Sequence, residues 1–236
     1  MSNIYRRVIL KISGESLGGN NGILDHKKLS DVASIIADMH EAGVEIGIVV
    51  GAGNIWRGRL ADSIGIEQST GDYMGMLGTI MNALAIQSAV ESKGIACKVM
   101  STINVNQVCE PYIRRKAIHH LEKGEVVIFA GGTGNPYFTT DTAASLRALE
   151  VGAEAILMAK NQVDGVFDDD PRTNPNAKLL RALSFREIIE RKLAVMDLTA
   201  VAMLEGKGVK IHVFNALHPE LYLKVVQGEP FGTIIQ

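Results

Sequence analysis

One lysine interrupts the first apolar run of the chain, in Leu10-Lys11-Ile12-Ser13-Gly14-Glu15-Ser16. A charge inside a buried strand needs an anionic partner, and the glycine after Ser13 lets backbone amides approach a ligand closely. Lys11 therefore reads as a phosphate ligand, the competing reading being a lysine that snorkels from an edge strand. A second apolar run empties into Gly51-Ala52-Gly53-Asn54-Ile55-Trp56-Arg57-Gly58. Its glycines permit a tight turn and expose amides where the next helix starts, a ready anion site, and Arg57 adds a planar donor fork suited to phosphate oxygens. A third run ends in Gly131-Gly132-Thr133-Gly134-Asn135-Pro136-Tyr137-Phe138-Thr139-Thr140-Asp141, which gathers amides and hydroxyls with little bulk to obstruct a nucleotide. Asp141 is positioned to cap the free amides of the helix that follows. Further on, Phe167 could flank a base, and a carboxylate of the Asp168-Asp169-Asp170 run could accept from ribose hydroxyls or an exocyclic amine. Asp197 opens an apolar helix and reads as its cap.

These groups favour some chemistries and weaken others. The second loop fails the dinucleotide fingerprint, because Trp56 stands where the third glycine belongs, and no Walker A string occurs. A lysine, an arginine and glycine-rich loops at strand ends instead suit phosphoryl transfer, in which a protein mainly positions groups and neutralises developing charge. Magnesium would then ride on the nucleotide phosphates, without a metal cage of protein ligands. The two cysteines, Cys97 and Cys109, lack a metal-ligand spacing and read as core thiols of a reducing compartment. A formal charge of -2 and a pI near 6.3 give no general attraction to nucleic acid or an anionic membrane.

The elements that must carry these loops follow from hydrophobic patterning. Val8–Ile12, Glu45–Val50, Ile95–Val99, Val126–Ala130, Ala155–Ala159 and Val209–Phe214 read as buried strands. Helices are predicted over Asp25–Ala42, closed by Gly43, over Tyr73–Ser92, and from about Asp141 onward. The Met-, Gly- and Ala-rich stretch Met74–Ala89 reads as a core helix, with an oligomer surface as the alternative. Alternating strands and crossover helices predict an α/β fold, a mostly parallel sheet with ligands at the carboxyl ends of its strands. With 236 residues, 47% of them hydrophobic, and no linker or repeat, one domain over 1–236 is expected, with a seam between lobes near 160–178. The N-terminal residues lack a secretory pattern and no apolar run is long enough for a bilayer, so a cytoplasmic location is expected.

Taken together, LKISGES, VVGAGNIWRG, GDYMGMLGTIMNALA, GGTGNPYFTTD, VDGVFDDDP and VMDLTA resemble the bacterial uridylate (UMP) kinases, a family with the amino-acid kinase fold, over most of the chain. The resemblance implies a three-layer αβα sandwich assembled as a homohexamer, phosphorylating UMP to UDP with ATP in pyrimidine nucleotide synthesis. Carried over by position, Lys11, Ile12, Ser13 and Gly14 would hold the ATP phosphates with Gly53 and Arg57, while Asn161, Phe167 and Asp170 would hold the adenine nucleoside. Ala52 and Asp72 fall where the family contacts UMP, and Thr133, Gly134, Asn135, Pro136, Tyr137, Phe138, Thr139 and Thr140 form its main UMP loop. Lys11 and Arg57 would stabilise the migrating phosphoryl group, with Asp141 and Asp197 as organisers. Ala52 replaces the middle glycine of the family's commoner run, which a backbone contact survives if its φ is negative. The segment Leu17–Ile23 differs in length and residues from the one linked to GTP activation, which leaves that regulation open. UTP, carrying the acceptor's base, is the expected feedback inhibitor. A kinase for a small acid and a non-catalytic nucleotide- or oxyanion-binding module are the competing functions.

Overall fold

Strand β1 (Arg7–Ile12) is buried at Val8, Ile9 and Leu10 in succession, the pattern of a strand covered on both faces. In the computed structural model, which describes residues 3–19, 22–161, 163–171, 173–193 and 195–236, it pairs in parallel with β2 (Glu45–Val50) on one side and β6 (Ala155–Lys160) on the other. Asn20 and Asn21, within the Leu17–Ile23 segment, lie outside the described residues. The sheet continues outward from β2 through β5 (Val126–Ala130) and β3 (Cys97–Ser101) to β4 (Glu110–Pro111). Beyond β6 it continues through β10 (Lys210–Asn215) and β11 (Thr233–Ile235) to β9 (Ala182–Leu183). Every pairing is parallel except β10 with β11. Strands β7 (Val166–Phe167) and β8 (Leu179–Leu180) form a separate antiparallel ribbon.

Side-chain alternation along the strands assigns the two faces. Val8, Leu10, Ile46 and Ile48 pack under α1 (His26–Glu41), α3 (Gln68–Glu91) and α8 (Glu220–Val226). Ile9, Val49, Val127 and Ile156 pack under α4 (Arg114–Glu122), α5 (Thr140–Val151), α6 (Phe185–Arg191) and α7 (Leu198–Leu204). The result is a three-layer αβα sandwich. A short α2 (Arg59–Ser63) precedes α3. Among the described residues no helix is long and apolar enough to cross a membrane.

Helix α1 keeps its predicted limits, with Asp25 accepting the amide of Lys28 at 3.0 Å and Gly43 at φ 80° just past its end. Other expectations shift. Helix α3 starts at Gln68 rather than Tyr73, because its weak first turn is held from outside: Trp56 Nε1 donates to the Gly71 carbonyl at 2.7 Å and Ala61 packs on Gly71. Strand β3 runs over Cys97–Ser101 rather than Ile95–Val99, since its register with β5 extends to Ser101 opposite Ala130. Helix α5 is capped by Thr139 and not by Asp141. The two cysteines are free, and burial pushes the Cys97 thiol up to about 12.

Strand β10 buries a histidine. The Tyr5 hydroxyl lies 2.9 Å from His212 Nε2, and burial, reinforced by Lys210, lowers the imidazole pKa from 6.5 to about 4. The native state thus keeps His212 neutral where the unfolded chain takes up a proton. Its contribution is complete above pH 6.5 and is lost as pH falls toward 4, an effect of about 3 kcal/mol. Urea unfolding at a series of pH values should show this slope in the native protein and a flatter one in His212→Gln; equal slopes would contradict it.

Candidate active site

The loops leaving β2 and β5, neighbours in the sheet, depart to opposite faces, toward α3 and α5 respectively. Such a divergence opens a crevice at the carboxyl end of a parallel sheet, and both glycine-rich loops stand at its rim. The β5 loop needs its glycines: Gly131, Gly132 and Gly134 have φ of 76°, 60° and 85°. Tyr137 adopts φ 70° without being glycine, a strained conformation. It is held there by its amide, which donates to Asp72 Oδ2 at 2.7 Å. Tyr137 and Phe138 project outward, 68% and 50% exposed. Thr133 and Asn135 bond one another through the Thr133 hydroxyl, while Gly51 faces Thr140 across the crevice.

The loop ends in a double cap. Thr139 Oγ1 accepts the amides of Asp141 and Thr142 and donates to Asp197. Asp197 Oδ2 also accepts from the Thr142 hydroxyl at 3.0 Å, and its Oδ1 accepts the Ala200 amide at 2.8 Å. One carboxylate thus ties the N-termini of α5 and α7 together. Because Thr139 does the capping, the Asp141 carboxylate is directed to Lys11, whose Nζ lies 2.8 Å from Oδ1 with both side chains 19% exposed. That oxygen is buried and receives no well-aligned hydrogen bond, so charge rather than directional bonding joins the pair. Lys160, at the end of β6, donates to the Val195 carbonyl at 2.5 Å. Burial lowers its pKa, Asp141 opposing the shift and Lys11 adding to it.

On the other side of the crevice, Ser13 precedes a single 3-10 turn, Gly14–Ser16, that lies directly on the β2 loop. A Cβ at Gly14 would fall 2.5 Å from Asn54 Oδ1, 2.6 Å from the Gly53 nitrogen and 2.7 Å from the Gly51 oxygen. The β1 and β2 loops therefore meet backbone to backbone, beside the buried Ile12. Arg57 pairs with Glu15 at 2.6 Å and donates to the Gly53 carbonyl at 3.3 Å. Both members of that ion pair are about half exposed, so it is worth at most about 1 kcal/mol and exchanges readily. Ala52 is buried and keeps a negative φ; its methyl faces Gly78, where a Cβ would come within 2.9 Å.

Lys11, Gly14, Ala52, Gly53, Arg57, Asp72, the Thr133–Thr140 loop, Asp141 and Asp197 thus lie on adjoining strand ends, loops and helix starts. Asn161, Phe167 and Asp170 lie on other segments: Asn161 just beyond β6, Phe167 in the β7–β8 ribbon opposite Leu179, and Asp170 in the turn where its carbonyl accepts from Thr173 and Asn174. Strand β6 neighbours β1, Met158 lying opposite Lys11, so Asn161 stands one strand from the lysine, whereas the ribbon carrying Phe167 is tied to β11, the Val166 amide donating to Thr233 Oγ1 at 2.8 Å. The motifs alone do not mark Lys160, Glu15, Asn54, Thr79 or Asn82. The last two were detectable as polar residues in the apolar stripe Met76-Ile80-Ala83-Ile86. Among the described residues no cluster of three His, Cys, Asp or Glu side chains is arranged to hold a metal ion. Two cavities of about 350 and 400 Å³ lie elsewhere, between α1 and α8 and around Tyr5 and Lys210, and contain none of these loops.

Comparison with known proteins agrees with this architecture. The model of the amino acid kinase family matches residues 6–215. A uridylate kinase of Rubrobacter xylanophilus is 53% identical over 232 residues, 98% of this chain and 91% of that protein. The crystal structure of UMP kinase from Bacillus anthracis superposes with a TM-score of 0.96 at 40% identity, covering 98% of this chain and 96% of that one. That of UMP kinase from Ureaplasma parvum gives 0.92 at 36% identity, covering 98% of each.

Proposed function

The chain belongs to the amino acid kinase family, and from that premise we propose that it transfers the γ-phosphoryl group of ATP to UMP, yielding ADP and UDP for pyrimidine nucleotide synthesis. The observation that carries this reading is the Lys11 ammonium at the end of the central strand, between the closely packed glycine loops that follow β1 and β2 and the donor-rich loop on β5. Its kinship with uridylate kinases selects UMP as the acceptor.

ATP enters as its magnesium complex, the metal belonging to the substrate. Its phosphates lie against the amides of Ile12, Ser13, Gly14 and Gly53, and Arg57 exchanges Glu15 for a phosphate oxygen. Asn161, Phe167 and Asp170 flank the adenine nucleoside. UMP lies along Thr133–Thr140, with Ala52 contributing its amide and Asp72 accepting from the ribose through the oxygen not engaged by Tyr137. A phosphate oxygen of UMP attacks the γ-phosphorus in line as the bond to the β–γ bridging oxygen breaks and ADP departs. Lys11 and Arg57 meet the charge on the transferred group, Asp141 keeps Lys11 aimed, and Asp197 fixes the two helix starts behind the loop. UTP competes at the same acceptor loop. A cytoplasmic location suits these substrates.

We place the contact that builds a homohexamer on the outer face of α3. Tyr73, Leu77 and Met81 form an apolar stripe there, each about half exposed and opposite the buried stripe of the same helix. Sedimentation should give a hexamer's mass, and a lighter species for Leu77→Glu; a monomeric native protein would contradict it.

A coupled assay of ADP release with UMP, CMP, dTMP, aspartate, acetylglutamate and carbamate tests the activity. UMP should be turned over fastest. Turnover of a small acid in its place, or nucleotide binding without any transfer, would overturn the reading. Lys11→Ala should lower kcat at least about 100-fold, and native kinetics in that variant would remove Lys11 from the mechanism.

A further inference from the structure

Helix α3 reaches both glycine-rich loops through buried polar side chains. Thr79 and Asn82 lie one turn apart, 6% and 0% exposed, in a stripe where apolar residues would satisfy packing. Thr79 Oγ1 accepts the Gly131 amide at 2.8 Å and donates to the Met76 carbonyl at 2.7 Å. Asn82 donates to the Gly51 carbonyl at 2.7 Å and forms a reciprocal amide pair with Asn54, at 2.8 and 3.1 Å. Asn54 donates onward to the Ile23 carbonyl at 2.7 Å. A buried polar group is costly unless bonded, and here the bonds go to loop backbone or to a loop side chain that carries them further.

We infer that Thr79 and Asn82 are positioning residues that set the separation of the two substrate loops, Asn82 holding the phosphate side and Thr79 the acceptor side. The assignment of the loops to ATP and UMP rests on the proposed reaction. A rigid helix with a rise of about 1.5 Å per residue serves as the spacer, and a misplacement of about 1 Å costs on the order of 100-fold in an in-line transfer. The Gly78–Ala52 contact adds a steric stop between the two attachment points.

The two residues should therefore fail separately. Thr79→Val keeps the volume but leaves the Gly131 amide unpaired. It should raise KM for UMP about tenfold while KM for ATP stays within about twofold, and Thr79→Ser should restore it. Asn82→Leu, or Asn82→Asp should the first variant not fold, is expected to raise KM for ATP well above any rise in KM for UMP, which meets this loop through the Ala52 amide. Amide exchange on the ligand-free proteins supplies a readout independent of turnover: the Gly131 amide should exchange at least about tenfold faster in Thr79→Val and unchanged in the Asn82 variant. Equal rises in both KM values, or unaltered exchange at Gly131, would overturn the inference. Failure of the native enzyme to phosphorylate UMP, with the exchange result intact, would count against the reaction alone.

Discussion

A positive charge held at the carboxyl end of the central strand is the feature around which the site is arranged. Lys11 lies in a strand covered by helices on both faces, where an isolated ammonium would be expensive, and Asp141 meets it from the start of α5 at 2.8 Å. The pairing depends on another residue taking over the helix cap, because Thr139 satisfies the free amides and releases the aspartate. Asp197 then holds Thr139 and Thr142, so the ion pair is braced through α7. Lys160, with its ammonium on the Val195 carbonyl, secures the segment leading into Asp197.

Steric emptiness is the second constraint. Gly14 has no room for a methyl group because three atoms of the β2 loop fill that space, and the contact brings amides from two strands to one spot. The exposed Arg57–Glu15 pair beside it costs little to break, so the arginine is available where the buried lysine is fixed. The β5 loop, by contrast, combines left-handed glycines with a strained Tyr137 that the Asp72 contact secures. One wall of the crevice is close-packed backbone, and the other is a loop held by a few side-chain bonds.

Much of this could be read in the sequence where hydrophobic period and turn chemistry agreed. Strands β1, β2, β5, β6 and β10, helix α1 with its Gly43 stop, and the glycine-rich strand ends fall in that class. Strands β9 and β11 did not register, because elements of two or three residues carry no period. The start of α3 was obscured because Trp56 and Ala61, distant in sequence, stabilise a turn of poor helix formers. Composition could not assign the α5 cap between Thr139 and Asp141, since both residue types cap helices and only the nearby lysine decides. Resemblance supplied a role for Asp72 that its isolated position did not. Neither route marked Thr79 and Asn82, whose partners are backbone groups.

A crystal structure with UMP and a non-transferable ATP analogue bound together tests the central claim most directly. The account predicts the γ-phosphorus within the crevice, a terminal phosphate oxygen about 3 Å from Lys11 Nζ, and the UMP phosphate on the Thr133–Thr140 loop. Phosphates turned away from Lys11, or either nucleotide seated at the opposite ends of the strands beside Tyr5 and His212, would contradict it.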